Sequence, residues 1–135
     1  MSELTDGDRI WNRALSPGSA SDPALMPGDR ALAGLLRAHG LAMNGGVWHS
    51  VDSLSDDEWE SAVVGFRYFG LTSIAELLAD AKRRVAEVEE APLEEQEALE
   101  EELDTAYSAL VPTDQSLADV FEERLRSEPS AFAAI

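Results

Sequence analysis

The chain has 135 residues, with 27 Asp and Glu against 10 Lys and Arg, so its formal charge is −17. Such a field repels nucleic acid and anionic membrane and attracts cationic partners, which argues against direct nucleic-acid or membrane binding. The 44% apolar fraction predicts one folded domain rather than a disordered acidic chain, and the lack of Cys excludes disulfides, thiolate metal sites and a Cys nucleophile.

The first 28 residues divide into a short predicted helix and an irregular arm. Residues 6–15 carry apolar side chains, including Trp11, that suit a helix. The stretch SPGSASDPALMPG that follows holds three prolines and two glycines, which rule out regular structure. We therefore predict an N-terminal helix and Pro/Gly-rich arm over residues 1–28 and an acidic helical domain over residues 29–135.

Helical spacing of apolar residues begins at Asp29. The positions that share one face of this helix are Leu32, Leu35, Leu36, His39 and Met43. The sequence Asn44-Gly45-Gly46 predicts the end of the helix, and a loop follows that carries Val47, Trp48 and His49.

The next helix has a clear start and stop in the sequence. Ser55 and Glu58 form the spacing of a capping box, and Gly70 tolerates the left-handed conformation that commonly ends a helix. The expected inner face consists of Trp59, Ala62, Val63, Phe66 and Phe69.

Three more helices are predicted in the second half of the chain. One opens near Thr72 or Ser73 and ends at Ala91-Pro92; its inner face is Ile74, Leu77, Leu78, Ala81, Val85 and Val88. The next spans residues 93–110, with Leu99, Leu103, Ala106, Tyr107 and Leu110 inward. The last is capped by Thr113 or Asp114 and contains Leu117, Val120, Phe121 and Leu125. With no segment of strand-like alternation, the prediction is an all-α compact bundle of about five to six helices in a single domain.

Residues 87–104 hold ten carboxylates and no Lys or Arg. In the helix over residues 93–110, the expected core contacts place four acids on the solvent side (Glu94, Glu97, Glu101 and Asp104) and three on the flanks (Glu95, Glu100 and Glu102). Like charges four residues apart destabilise a helix slightly. Stability therefore does not explain these carboxylates, and the pattern favours a role in binding a partner. The alternative is an ordinary solvated helix face.

Further acids lie near the start of the Ser55 helix, at Asp52, Asp56, Asp57, Glu58 and Glu60. Three of these, together with the seven carboxylates of residues 93–110, form the predicted partner-binding set: Asp56, Asp57, Glu60, Glu94, Glu95, Glu97, Glu100, Glu101, Glu102 and Asp104. The expected partner is a basic protein.

The sequence contains no recognisable catalytic, metal-binding or phosphate-binding motif. His39 lies on an apolar helix face and is interpreted as a core histidine with satisfied hydrogen bonds, while His49 lies in a more open loop. We therefore expect no enzymatic activity, cofactor or metal. The N-terminal sequence lacks a basic segment followed by an apolar run, and a cytoplasmic protein is expected.

The features from Gly28 to Ala81 follow a recognisable order. They are a helix ending in Asn44-Gly45-Gly46, an aromatic at Trp48, a second helix, Gly70 and an amphipathic helix. Together with Leu103-Asp104-x-x-Tyr107 and a terminal helix ending near Phe132, this order resembles the DNA mimic protein 19-like family of small acidic bacterial proteins. In place of the family's second aromatic and Asn after the glycines, this chain has His49, Ser50, Val51 and Asp52.

The resemblance implies an all-helical fold, a homodimer, and an acidic surface that a DNA-binding protein accepts in place of phosphates. The apolar tail around Phe132 and Ile135 also suggests a dimer unless it docks on its own chain. The resulting hypothesis is a DNA mimic that occupies the basic surface of a transcriptional regulator or nucleoid protein. An immunity protein that neutralises a basic toxin or nuclease is the alternative, and a purely structural helical domain is a third possibility.

Overall fold

Local sequence signals set most of the helix bounds in the computed structural model, which describes residues 4–135. Within these residues the chain has seven α-helices and no strand. They are α1 (Asp6–Ala14), α2 (Pro27–Gly45), α3 (Val47–Ser53), α4 (Asp56–Tyr68), α5 (Thr72–Val88), α6 (Leu93–Leu110) and α7 (Asp114–Ser127), with single-turn 3₁₀ helices at Ser19–Ser21 and Pro129–Ala131. The all-α prediction is confirmed, and the helix count is one higher than the upper prediction.

The capping signals read from the sequence are present in the structure. The hydroxyl of Ser55 accepts the Glu58 N–H at 3.2 Å, and the Glu58 carboxylate accepts the Ser55 N–H at 3.0 Å. Gly70 has a φ of +77°, which is the left-handed conformation expected after α4. Thr113 caps α7 by accepting the Ser116 N–H.

The additional helix is α3, where a loop was predicted, so that prediction is wrong. Gly46 has a φ of +94° and turns the chain away from α2. The Val47 N–H then donates to Oδ1 of Asp104 at 2.8 Å, which satisfies one of the free donors at the start of α3. Because Asp104 lies on α6, 57 residues further along the chain, no local sequence pattern predicted this helix.

The start of α2 and the form of the arm also differ from the sequence predictions. α2 begins at Pro27 rather than Asp29, because the fixed φ of proline suits the first position of a helix. The arm, predicted to have no regular structure, contains the 3₁₀ turn Ser19–Ser21. Residues 1–3 of the predicted N-terminal segment lie outside the described residues.

The core is built around α2, which contacts α1, α3 and α4. Two glycines allow α2 and α4 to approach closely. A Cβ added at Gly65 would lie 2.4 Å from the carbonyl oxygen of Ala31, and one added at Gly34 would lie 2.8 Å from that of Ser61. Larger side chains at either position would force the two helices apart.

The predicted inner faces are mostly buried, with exceptions at the edges of the bundle. All five inner residues of α4 are buried, whereas Leu77 and Val88 of α5 are only half-buried. Met43 at the end of α2 is 60% exposed and Leu110 at the end of α6 is 40% exposed, so their predicted burial is wrong. Among the described residues, no helix is long and apolar enough to cross a membrane.

Asp29 fastens the two ends of the fold. It is 1% exposed, and its carboxylate accepts hydrogen bonds from Arg13 at 2.7 Å, the Met26 N–H at 3.0 Å and the Ala133 N–H at 2.7 Å. The Arg13 guanidinium also donates to the carbonyls of Ala133 and Ala134. The arm and the C-terminal tail are therefore part of one packed unit with α2.

The aromatic side chain of the tail docks on its own chain. Phe132 is 5% exposed and packs against Phe69 and Phe121 at ring-centroid distances of 6.4 and 5.4 Å. Ile135 remains 50% exposed. Of the two apolar tail side chains that suggested a dimer, Phe132 is thus covered within the chain and Ile135 is not.

Candidate partner-binding surface

Seven of the ten carboxylates in residues 87–104 are exposed and lack an ion pair or side-chain hydrogen bond among residues 4–135. They lie on the turn between α5 and α6 and on the first half of α6. We call this set the acidic ridge: Glu89, Glu90, Glu94, Glu95, Glu97, Glu100 and Glu101. It contains five of the ten predicted partner-binding residues.

The core contacts of α6 direct the ridge outward. Leu99, Leu103 and Tyr107 are buried, at 6%, 0% and 3% exposure, and they hold the helix against α3 and α5. The side-chain amide of Gln96 donates to the carbonyls of Val88, Glu89 and Ala91, at 3.2, 2.9 and 3.2 Å. These bonds fix the turn that precedes α6, so the two parts of the ridge keep a defined arrangement.

The other three carboxylates of residues 87–104 have partners within the chain. Glu87 and Glu102 pair with Arg83 and Arg84 of α5. Asp104 accepts the Val47 N–H and is only half-buried rather than solvent-facing, so its predicted position opposite the core is wrong. The reason is that α6 packs against both α3 and α5, so the buried face of the helix is wider than the spacing of its leucines indicated.

Two of the four acids at the start of α4 interact with other residues of the chain, and two do not. A hydrogen bond from Lys82, reinforced by its charge, lowers the pKa of Asp56. Hydrogen bonds from the backbone and hydroxyl of Ser55, with a smaller contribution from Arg37, lower the pKa of Glu58. Asp57 and Glu60 are exposed and have no ion pair among the described side chains.

One acid from each predicted group pairs with a basic residue of α5. Lys82 binds Asp56 of α4, while Arg84 binds Glu102 of α6. The side chains of Lys82 and Arg84, two residues apart on α5, point in different directions. One therefore contacts α4 and the other contacts α6. The ridge itself receives none of these cations.

The position of each ridge residue along α6 decides what its charge does for the helix. Glu94 and Glu95 lie in the first turn, where carboxylates complement the positive end of the helix dipole. Glu97, Glu100 and Glu101 lie beyond that turn and repel one another at spacings of three and four residues. Their charges therefore disfavour the helix that carries them.

His39 is buried and links a buried tyrosine to an exposed carboxylate. Its Nδ1 is 2.7 Å from the Tyr107 hydroxyl and its Nε2 is 2.6 Å from Oδ1 of Asp114, which joins α2 to α6 and α7. Burial, and secondly the charge of Asp114, raises the pKa of Tyr107. The interpretation of His39 as a satisfied core histidine is confirmed, although its two partners were not foreseen. Among the described residues, no group of three or more His, Asp and Glu could hold a metal ion.

Comparison with known proteins gives one informative result. A family model described as DMP19-like protein matches residues 23–130, which include α2 to α7 and the whole acidic ridge. No curated protein and no solved structure matches the chain. The chain belongs to the DMP19-like family, which is the DNA mimic protein 19-like family that the sequence resembles.

Proposed function

We propose that this DMP19-like protein is a DNA mimic, whose acidic ridge occupies the DNA-binding surface of a basic protein and keeps DNA away from it. The partner would be a transcriptional regulator or a nucleoid protein. One observation carries the proposal: Glu97, Glu100 and Glu101 are exposed and unpaired within the described chain, and their mutual repulsion gives the fold nothing in return. Family membership supports it.

The charge density of the ridge is close to that of DNA. Five of its carboxylates lie on the eight residues 94–101, which cover about 12 Å of helix axis at ~1.5 Å per residue. That corresponds to one charge per ~2.4 Å, compared with one per ~1.7 Å along duplex DNA. A groove of Lys and Arg that binds a phosphate backbone would find a comparable row of anions here.

The lack of intramolecular ion pairs at these carboxylates, among the described residues, also favours binding. A basic partner would not have to break an intramolecular ion pair to reach them, whereas Asp56 and Glu102 would each have to leave an existing partner. We therefore assign the main binding contribution to the ridge, with Asp57 and Glu60 as secondary contacts. Since solvent-exposed charges are screened, affinity should fall as salt rises.

A displacement assay tests this proposal. Labelled DNA bound to a candidate DNA-binding protein of the host is titrated with the wild-type protein and with the triple variant Glu94→Gln, Glu97→Gln and Glu101→Gln. The wild type should release the DNA, and the variant should require at least about tenfold more protein. The matched control removes the same number of charges from exposed positions elsewhere, by Glu76→Gln, Asp119→Asn and Glu123→Gln, and should behave as the wild type.

Two results would contradict DNA mimicry. One is a ternary complex in which the protein binds its partner without displacing DNA. The other is rescue of growth when the protein is co-expressed with a basic toxin encoded beside it, with no effect on any DNA-binding protein, because that is the behaviour of an immunity protein. Equal loss of activity in the ridge and control variants would show that net charge alone, and not the ridge, matters.

We also propose that the protein acts by binding alone, without catalysis, and as a homodimer. With Phe132 docked on its own chain, the remaining apolar surface includes Leu93, Leu110 and Ile135, which are 67%, 40% and 50% exposed. Light scattering at micromolar concentration should give twice the mass of one chain, and a monomer at that concentration would contradict the dimer.

A further inference from the structure

A small open cavity of about 320 Å³ lies between the end of α2 and the outer flank of α6. Its walls include Met43, Asn44 and Gly45 on one side and Asp104, Tyr107 and Ser108 on the other. It is separate from the acidic ridge, and none of its lining residues is basic. We call it the α2–α6 notch.

Asp104 places one free carboxylate oxygen in the notch. Oδ1 accepts the Val47 N–H at 2.8 Å. Oδ2 has no hydrogen-bond donor among residues 4–135, and it lies 2.9 Å from the point that a Cβ at Gly46 would occupy. Because residue 46 is glycine, nothing from that side covers the oxygen. The carboxylate is thus fixed by one oxygen and open at the other.

The end of α2 adds negative potential to the same place. The last carbonyl groups of a helix carry the negative end of its dipole and lack intrahelical donors. The Gly46 N–H satisfies the carbonyl of Ala42 at 2.7 Å, but no basic residue lies in the last turn of α2. A cation in the notch would therefore meet a carboxylate and the negative end of the 19-residue α2, opposed by the positive end of the 7-residue α3 at Val47, with no intramolecular cation competing in the described structure.

We propose that the α2–α6 notch binds the guanidinium group of an arginine side chain supplied by the basic partner. The inference rests on the proposed function, because it names a particular side chain that the partner would present. Oδ2 of Asp104 accepts one guanidinium N–H, and the amide oxygen of Asn44 and the hydroxyl of Ser108 are further acceptors on opposite walls. The exposed side chain of Met43, at the rim, covers the aliphatic part of the arginine.

The spread of these acceptors favours arginine over lysine. A guanidinium presents five donors in a rigid planar fork and is less strongly hydrated than an ammonium group. It can satisfy acceptors on two walls at once, whereas an ammonium group acts as a compact point charge. The notch would thus supply directional recognition, and the acidic ridge would supply attraction that depends little on geometry.

Binding of N-acetyl-arginine amide to the full chain tests this inference without any partner protein. Titration is followed through the backbone amide resonances of Gly46, Val47 and Ser108, with those of Glu97 and Glu101 as ridge controls. We expect saturable shifts at the notch, with a dissociation constant on the order of 1 mM. The neutral isostere N-acetyl-citrulline amide should cause none, and N-acetyl-lysine amide should bind several-fold more weakly.

Two variants separate the notch from general electrostatics. Asp104→Asn keeps an oxygen to accept the Val47 N–H but removes the charge, and it should weaken binding at least about tenfold. Ser108→Leu fills the notch from an exposed position without changing charge, so it tests the cavity even where Asp104→Asn lowers the thermal unfolding temperature. Unchanged shifts in both variants, or shifts at the ridge amides equal to those at the notch, would overturn the inference.

The outcome is independent of the DNA displacement assay. The triple glutamine variant of the ridge should retain the saturable shifts at Gly46, Val47 and Ser108. If the wild-type protein binds arginine saturably at the notch but displaces no DNA, the mimic is rejected and the notch is kept. If the wild-type protein displaces DNA but shows no saturable arginine binding, the ridge is kept and the notch is rejected.

Discussion

Helices α2 and α6 have nearly the same length, at 19 and 18 residues, but opposite surroundings. Ten residues of α2 are buried and only three of α6 are. The single carboxylate of α2, Asp29, is enclosed by three donors, whereas most carboxylates of α6 face water alone. The charge of α2 therefore holds the fold together, whereas most charges of α6 are exposed to solvent.

The difference shows where acidity serves structure and where it does not. A buried carboxylate persists only where its hydrogen bonds compensate for lost hydration, and Asp29 meets that condition. The mid-helix carboxylates of α6 are exposed and keep their hydration, so they need no such hydrogen bonds. Removing them would leave the core intact. Substitutions in the two helices should consequently affect stability and binding in opposite proportions.

The largest expected effect is that of Asp29→Ala. It leaves the partly buried Arg13 without its counter-charge and the N–H groups of Met26 and Ala133 without an acceptor. Breaking a buried pair from one side costs about 3–5 kcal/mol, and urea unfolding should show a loss of that order. Glu97→Ala on α6 is the control and should change stability by less than ~0.5 kcal/mol; equal losses in the two variants would remove the contrast between the helices.

A second test addresses how closely α2 is packed. Gly65→Ala places a Cβ against the Ala31 carbonyl and should destabilise the fold by about 1–3 kcal/mol. Gly40→Ala on α2 itself meets no atom within 4 Å and should stabilise by about 0.5–1 kcal/mol, because alanine is the better helix former. Thermal unfolding measures both, and effects of the same sign would contradict the close approach of α2 and α4.

Tyr107 connects the two helices through His39, and its raised pKa predicts a pH effect. The folded chain holds the phenolic proton at pH values where the unfolded chain, with an ordinary pKa of about 10, loses it. Stability should therefore fall as pH rises above about 10. Tyr107→Phe should lower the free energy of unfolding by about 1 kcal/mol at neutral pH. Between about pH 9 and 11, the free energy of unfolding measured in urea should fall less in this variant than in the wild type. An identical alkaline decline in both proteins would contradict the burial of this hydroxyl.

The smallest expected change in stability belongs to the ridge. The double variant Glu97→Gln and Glu101→Gln removes a repulsive pair and should stabilise α6 by about 0.2–0.5 kcal/mol while weakening DNA displacement. Glu94→Gln, in the first turn, should instead lose about 0.3–1 kcal/mol of favourable dipole interaction. A double variant that loses stability would show that these charges support the fold after all.

The sequence predicted those parts of the fold that depend on neighbouring residues. The pairing of Ser55 with Glu58 and the position of Gly70 located α4, because a capping box and a left-handed glycine act within one helical turn. The Pro92 break and the leucine spacing located α6 in the same way. The burial of His39 followed from its place on an apolar face.

Contacts between distant residues could not be predicted. Asp104 was expected to face solvent, yet it starts α3 through Val47, and Asp29 was read only as the beginning of a helix. Both carboxylates find their donors after the chain has folded back, 57 and 104 residues away. The position of the ridge followed from helical spacing, but the identity of its unpaired members depended on which cations of α5 face α6.

The long separation between Asp29 and Ala133 has a consequence for synthesis of the protein. At about 5–20 residues per second, the ribosome needs roughly 5–20 s to make the 104 residues between them. During that interval the carboxylate lacks one of its three donors, and Phe132 has not yet filled its place beside Phe69 and Phe121. The core therefore closes only after Phe132 and Ala133 have been made, which is later than the synthesis of α6 and its charges.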